Sequence, residues 1–303
     1  MKKKGGHIMA IKDMDVGTSF KGKALCTKAE IIACSNGKNA LFMEMQTRDD
    51  SFTAKQWDVG SGTTADTFSG KVVSIDGIVN VYKGVNEIKA YTVTATSDDA
   101  ALYVRTLDLD SLARDFMGFL KTHISNEYYE ALKIIFGSID FEKFVRGYAA
   151  TSHHDNVSGG LINHTLKMLN IAETVLKNLP ELEFMKDNIY MGIVVHDIGK
   201  IDCYTSTGSV DTLNYVDHKA LGIEKMAQLK LQLLKHISED DYYQLLAIIL
   251  GHHGEFGESC HTVATQIIHY IDMLDSQTTG LVQLMKQVNY SGDIKFDGRY
   301  LHI

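Results

Sequence analysis

The chain has 303 residues, 45% of them apolar and 22% charged, enough for about two domains with sizeable cores. A single proline and this charge content exclude a disordered acidic chain and a Pro-rich scaffold, and no apolar run reaches the ~18 residues of a membrane span. The net charge of −8 is uneven: residues 9–97 balance ten basic against ten acidic residues, whereas residues 98–303 hold 17 against 28.

Met1 to His7 (MKKKGGH) is basic but has no apolar stretch behind it, so it is not a secretory signal, and residues 1–8 read as a tag-like or disordered tail. The cysteines, Cys26, Cys34, Cys203 and Cys260, form no CxxC pair, so reduced thiols and a cytoplasmic address are expected. From Ser19 to about Thr96 the pattern has period two, clearest where Leu41, Met43 and Met45 alternate with Phe42, Glu44 and Gln46. Turn signals at Ser35-Asn36-Gly37, Asp49-Asp50-Ser51, Gly60-Ser61-Gly62 and Lys83-Gly84 separate runs rich in Val, Ile, Thr and aromatic residues. About five short strands over residues 9–97 fit a small barrel better than a sandwich.

After Asp98 the period becomes helical. Helices are expected at Leu112–Ile124, Tyr128–Phe136, Leu161–Leu179, Asn188–Ile198, Lys219–Leu234, Tyr242–His252 and Thr262–Val288. The boundary is placed near Ser97 to Ala101, with a helical connection over 98–150, an all-α domain over 151–290 and a tail over 291–303. The fold class expected is α+β multidomain, a small N-terminal β-barrel followed by an all-α bundle.

Ten of the 13 histidines lie between His153 and His269. Two His-Asp pairs occur, His154-Asp155 and His196-Asp197, and only the second follows an apolar run, Ile193-Val194-Val195, on a helix that should be buried. An unpaired carboxylate there would cost several kcal/mol, and a bound cation removes that penalty. A capped Asp beside a core histidine would satisfy the pair equally well on its own. The series His164, His196-Asp197, His218, His252-His253 and Asp272, each on or beside an expected helix, favours a metal. Imidazole and carboxylate without thiolate suit Mn²⁺, Fe²⁺, Zn²⁺ or Mg²⁺ and make a structural zinc finger a poor fit. Asp272 and Asp275 are three apart on one face, so one can ligate while the other holds an imidazole.

These residues carry a resemblance. The order His164, His196-Asp197 within HDIGK, then Asp272 is similar to the HD superfamily of metal-dependent phosphohydrolases. SHHDNVSGGLINHTLKML (152–169), VVHDIGK (194–200), DHKALG (217–222), GHHGEFGES (251–259) and IIHYIDMLDS (267–276) resemble the YhaM-type 3′-to-5′ exoribonucleases, as do MAIKDMDVGTSFKG (9–22) and AKQWD (54–58). The chain departs from the family pattern before the last motif, at His261 to Gln266.

The resemblance implies an OB-fold gripping single-stranded RNA, with DNA left open, and an HD domain that removes nucleotides from a 3′ end with Mn²⁺. One or two ions could supply both a hydroxide and relief of phosphate charge, with Mg²⁺, Fe²⁺ or Zn²⁺ as alternatives. Asp197 would bridge two ions roughly 3.5–4 Å apart, one held by His164, His196 and Asp272, the other by His218, His252 and His253. Lys200, four residues past His196, would sit near it on the same helical face and touch the substrate phosphate, or else snorkel at the surface. His269 is read as supporting or core, His153 and His154 as lining the substrate path or as exposed loop, and Gly159-Gly160 as a turn or a phosphate-receiving helix start. On the barrel, Phe42, Phe52, Trp57, Tyr82 and Tyr91 offer rings for base stacking beside Lys55, Lys83 and Lys89, or fill the core. An HD hydrolase of nucleotides or cyclic dinucleotides is the alternative; a non-catalytic single-strand binder that only assembles oligomers ranks below it. No membrane partner is expected, and homo-oligomerisation is left open.

Overall fold

The computed structural model describes residues 10–303 apart from 35–36, 83, 150–156, 206–207, 209–215 and 255–258. The chain divides into two units, Met1–Thr106 and Leu107–Ile303.

In the first unit, β1 (Ser19–Ala33), β2 (Asn39–Gln46), β3 (Ser51–Val59), β4 (Lys71–Tyr82) and β5 (Val85–Ala95) close into a barrel in the order β1-β2-β3-β5-β4. The period-two pattern becomes an inside and an outside: Leu41, Met43 and Met45 are buried, while Phe42 is only partly covered and Glu44 is exposed. The length of β1 lets it pair with both β2 and β4, and a bulge between Cys26 and Lys28 bends it between the two. Strands β3 and β5 run parallel and close the ring. Phe52 points inward and meets Phe20 edge-on at 5.7 Å, so it belongs to the core and is no stacking platform.

A second bulge lies on β5 opposite Asp76 and Gly77 of β4, which pair with Thr92 and Ala90 and leave Tyr91 as the extra residue. A Cβ on Gly77 would stand 2.5 Å from the Lys89 carbonyl oxygen and 2.9 Å from the Ala90 Cα, so only glycine lets β5 approach here.

The second unit holds α1 (Leu109–His123), α2 (Asn126–Ser138), α3 (Phe141–Arg146), α4 (Gly160–Asn178), α5 (Lys186–Val195), α6 (His218–Leu233), α7 (Glu239–Gly251) and α8 (Val263–Gln287). Side-chain caps from Asp108, Asp140, Asp217, Ser238 and Thr262 set the starts of α1, α3, α6, α7 and α8 by accepting from first-turn amides. Short α3 escaped the sequence reading; it adds Phe144 and Val145 to the core beside Phe116 and Leu161. Helix α5 is the innermost element: every residue from Asn188 to Val195 is buried, and α4, α7 and α8 pack on it.

The bundle follows the expected all-α pattern, with one correction at its end. Residues 291–303, read as a tail, carry a hairpin of β6 (Asp293–Phe296) and β7 (Arg299–His302). Its turn, Asp297-Gly298, has both φ values positive, 47° and 74°, as a two-residue hairpin turn of this hand requires. Among the described residues, no helix is long and apolar enough to cross a membrane.

Gly77→Ala is expected to destabilise the barrel by about 1–3 kcal/mol, because the clash is with backbone that cannot swing away. Gly118→Ala, in the interior of α1 with open space around it, is expected to stabilise the helical unit by about 0.5–1 kcal/mol. Urea unfolding of each variant measures both.

Candidate metal centre

Helix α5 delivers the central pair. It ends at Val195, the chain passes through His196 and Asp197, and a 3-10 turn follows over Ile198–Asp202. His196 is 1% and Asp197 3% exposed, so this carboxylate must be compensated inside the protein. Lys200 lies on that 3-10 turn, off the helix of His196, and it is not a snorkelling surface lysine. Its Nζ sits 2.6 Å from Asp197 Oδ2 and donates to the Ala149 carbonyl at 2.8 Å, with only 15% of the side chain exposed.

Four other elements converge on Asp197. His164 comes from the second turn of α4, His218 opens α6, His252 and His253 follow the last residue of α7, and Asp272 and Asp275 project from α8. His218 Nε2 and His252 Nε2 stand 3.4 and 3.6 Å from Asp197 Oδ1, while His196 Nε2 is 3.3 Å from Oδ2. His164 Nε2 is 3.3 Å from Asp272 Oδ1, and its Nδ1 is 2.7 Å from Asp275 Oδ2. Asp275 also holds Lys167 Nζ at 3.5 Å, and Lys167 donates to Thr279 Oγ1 at 3.1 Å. Two sets of donor atoms lie within 4.8 Å of one another: His164, His196 and Asp197, and His218, His252 and His253.

The orientation of the rings decides what the cluster can hold. His196 Nδ1 donates to the Ile193 carbonyl at 2.7 Å and His252 Nδ1 to the Ile249 carbonyl at 2.9 Å. Each histidine thus uses a carbonyl that the end of its helix leaves without an intrahelical partner, and each keeps a lone pair on Nε2. That leaves His196 Nε2, Asp197 Oδ1, His218 Nε2 and His252 Nε2 buried with no hydrogen-bond partner among the described residues. Acceptors facing acceptors repel unless a proton or a cation stands between them. Two atoms bound tetrahedrally to one ion at about 2.1 Å stand roughly 3.4 Å apart, the spacing these pairs show. The donor set fits a divalent cation.

Electrostatics points the same way. Burial works against the charged form of Asp197, yet Lys200 and His196 outweigh it and hold the carboxyl well below its usual range. Burial pushes His218 down to about 4 and His252 well below the usual imidazole value, so both are neutral ligands at pH 7. His164 is the exception: burial opposes its charge, but Asp272 and Asp275 raise it to about 10. A proton there occupies the place a cation would take.

Of the other sequence candidates, His269 is buried and its Nδ1 donates to the His252 carbonyl at 2.9 Å, fixing the backbone that carries His252 and His253. His153 and His154 lie outside the described residues. Gly159-Gly160 is a packing turn: the amides of Gly159, Gly160 and Leu161 are already given to the carbonyls of Arg146, Val157 and Gly147. The residues that sequence reasoning missed are the anchors, Lys167 and the Ile193 and Ile249 carbonyls. A histidine placed at the end of an expected helix was the available signal for the carbonyls.

Residues 161–277 match the HD domain family. The chain carries an HD domain. The match encloses every residue from His164 to Asp275 in the cluster. Outside the HD domain the similarity continues. The chain is 27% identical over 292 residues to the 3′-5′ exoribonuclease YhaM of Shouchella clausii, covering 92% of this chain and 90% of that protein. It is 24% identical over 295 residues to the YhaM of Oceanobacillus iheyensis, covering 90% and 89%, and 24% identical over 270 residues to that of Bacillus subtilis, covering 84% and 83%. These alignments take in the barrel as well as the HD domain.

One glycine of the HD domain has a geometric duty. A Cβ on Gly199 would stand 1.9 Å from the His218 carbonyl oxygen and 2.8 Å from the Gly222 amide, so glycine alone lets α6 bring His218 to Asp197. Gly199→Ala is expected to cost about 1–3 kcal/mol and to lower bound divalent metal by half or more, with the helical circular dichroism retained. Thermal unfolding and elemental analysis check the two effects together.

Proposed function

We propose that this chain is a metal-dependent 3′-to-5′ exonuclease of single-stranded RNA, with Mn²⁺ as the working ion. The observation that carries the reading is the set of buried, unpartnered acceptors around Asp197, within an HD domain, on a chain similar over nine-tenths of its length to named exoribonucleases.

His196, His164, Asp197 and Asp272 would hold one ion, and His218, His252 and His253, with Asp197 shared, a second. When bound, the ions supply a nucleophile usable at neutral pH and neutralise charge building on the phosphate. The protein's own part is orientation and charge. Backbone carbonyls hold His196 and His252 with Nε2 turned to Asp197. Asp275 fixes the His164 ring from behind. Lys200 keeps Asp197 ionised and would meet a phosphate oxygen drawn to the site. The barrel holds the strand through its exposed rings. A reducing, cytoplasmic compartment belongs to the proposal, in keeping with the four free thiols.

The deciding assay incubates the protein and Mn²⁺ with RNA labelled at one end or the other. A 3′ label is expected to leave at once as mononucleotide, and a 5′ label to remain on a ladder of shortening products. Release of internal fragments, or turnover of mononucleotides and cyclic dinucleotides alone, would contradict the reading.

Asp197→Asn keeps the shape but loses the charge, so hydrolysis should fall far more than tenfold, toward background, with bound metal falling in parallel and the fold intact. Activity within about tenfold of wild type in metal-loaded Asp197→Asn would remove this residue from its role. His253→Ala is expected to lower metal content from about two ions to about one per chain, read by elemental analysis; unchanged stoichiometry would leave a single-ion site.

A further inference from the structure

The outer face of β2, β3, β5 and β4 carries a feature that its sequence disguises. Lys55 looks like a cation offered to a phosphate, but its Nζ is 2.6 Å from Glu87 Oε2, with 15% of the lysine side chain and 7% of the glutamate exposed. The other Glu87 oxygen accepts from Asn80 Nδ2 at 3.3 Å. The ammonium also lies 3.8 Å from the centroid of the Tyr82 ring and 5.6 Å from that of Phe42. The pair is thus a closed, neutral unit beneath aromatic cover.

Exposed rings stand at both ends of this floor. Tyr82, 53% exposed, rests over the ion pair. Lys55 pairs with Lys89 and Gln56 with Ala90, where this ladder ends, and Gln56 Nε2 donates to the Tyr91 carbonyl; just past that rung stand Trp57 and Tyr91, 54% and 57% exposed. A bulge presents Trp57: Asn39 pairs with Val59 and Ala40 with Trp57, leaving Asp58 as the extra residue at φ 62°. Lys38 forms an ion pair with Asp58 at that corner. From the Glu87 level to the Tyr91 level is four residues, about 13 Å, and Lys89 stands exposed between them.

We propose that this face grips a short run of single strand through two aromatic posts, Tyr82 and Trp57 with Tyr91. The buried Lys55–Glu87 pair forms a neutral floor between them, so recognition here is of unstacked bases more than of phosphates. The proposal rests on the barrel being the strand grip. It makes Glu87 a specificity-setting residue: by cancelling Lys55 it leaves Lys89 as the exposed cation between the posts, so it weakens the charge attraction that would favour any polyanion, duplex included, and gives more weight to ring stacking, which requires free bases.

The test uses the full-length enzyme with Mn²⁺ and measures KM and kcat on a single-stranded RNA across a series of salt concentrations. Trp57→Leu/Tyr82→Leu is expected to raise KM on the order of 10- to 100-fold at every salt concentration, with kcat retained and the salt slope unchanged. Glu87→Gln uncovers Lys55 and is expected to lower KM at low salt and to steepen the dependence of log KM on log salt by about 0.7, one added phosphate contact. An unchanged slope in Glu87→Gln, or a flattened slope in the double variant, would overturn the neutral floor while leaving the barrel as the grip. No change of KM in either, with far-UV circular dichroism confirming the fold, would overturn the inference and the strand-grip reading together.

Discussion

A carboxylate taken out of water must be met by positive charge, and Asp197 is where that requirement governs the helical unit. Buried at the end of the innermost helix, it would unfold its surroundings if left bare. Lys200 answers one oxygen. The other faces Nε2 of His252, whose Nδ1 proton already goes to the Ile249 carbonyl, and Nε2 of His218, whose Nδ1 turns to the Asp217 carboxylate and which burial keeps neutral. The arrangement is self-consistent only with a cation among them. Gly199 exists so that His218 can approach, and Asp275 with Lys167 so that the His164 ring keeps its pose.

The two units solve opposite electrostatic problems. The helical unit concentrates acceptors and is completed by an added charge. The barrel closes the buried Lys55–Glu87 pair of its outer face internally and presents rings there. A nuclease that cuts from an end benefits from this division. Under the proposed function, ions would draw phosphate to the site of chemistry, while the holding surface would slide along bases whose identity does not matter to a stacking ring.

Much of this was legible in the sequence, for identifiable reasons. The alternation of Leu41, Met43 and Met45 gave away the barrel, because a side chain every second residue must face the same way. The expected helices lie within a few residues of those found, since apolar spacing of three and four survives burial. His196-Asp197 stood out because a charged residue ended an apolar helix. What stayed hidden depends on contacts distant in sequence: the Glu87 partner of Lys55 is 32 residues away, and the inward turn of Phe52 is set by register with β2. The hairpin at Asp297-Gly298 was local and readable, but its strands are only four residues each, too short for periodicity to register.

The most direct measurement of the central claim is anomalous X-ray diffraction from crystals of the protein soaked in Mn²⁺. The account predicts anomalous density touching Asp197, with His164, His196 and Asp272 on one side and His218, His252 and His253 on the other. Crystals that take up manganese at other positions while the Asp197 cluster stays without density would contradict it.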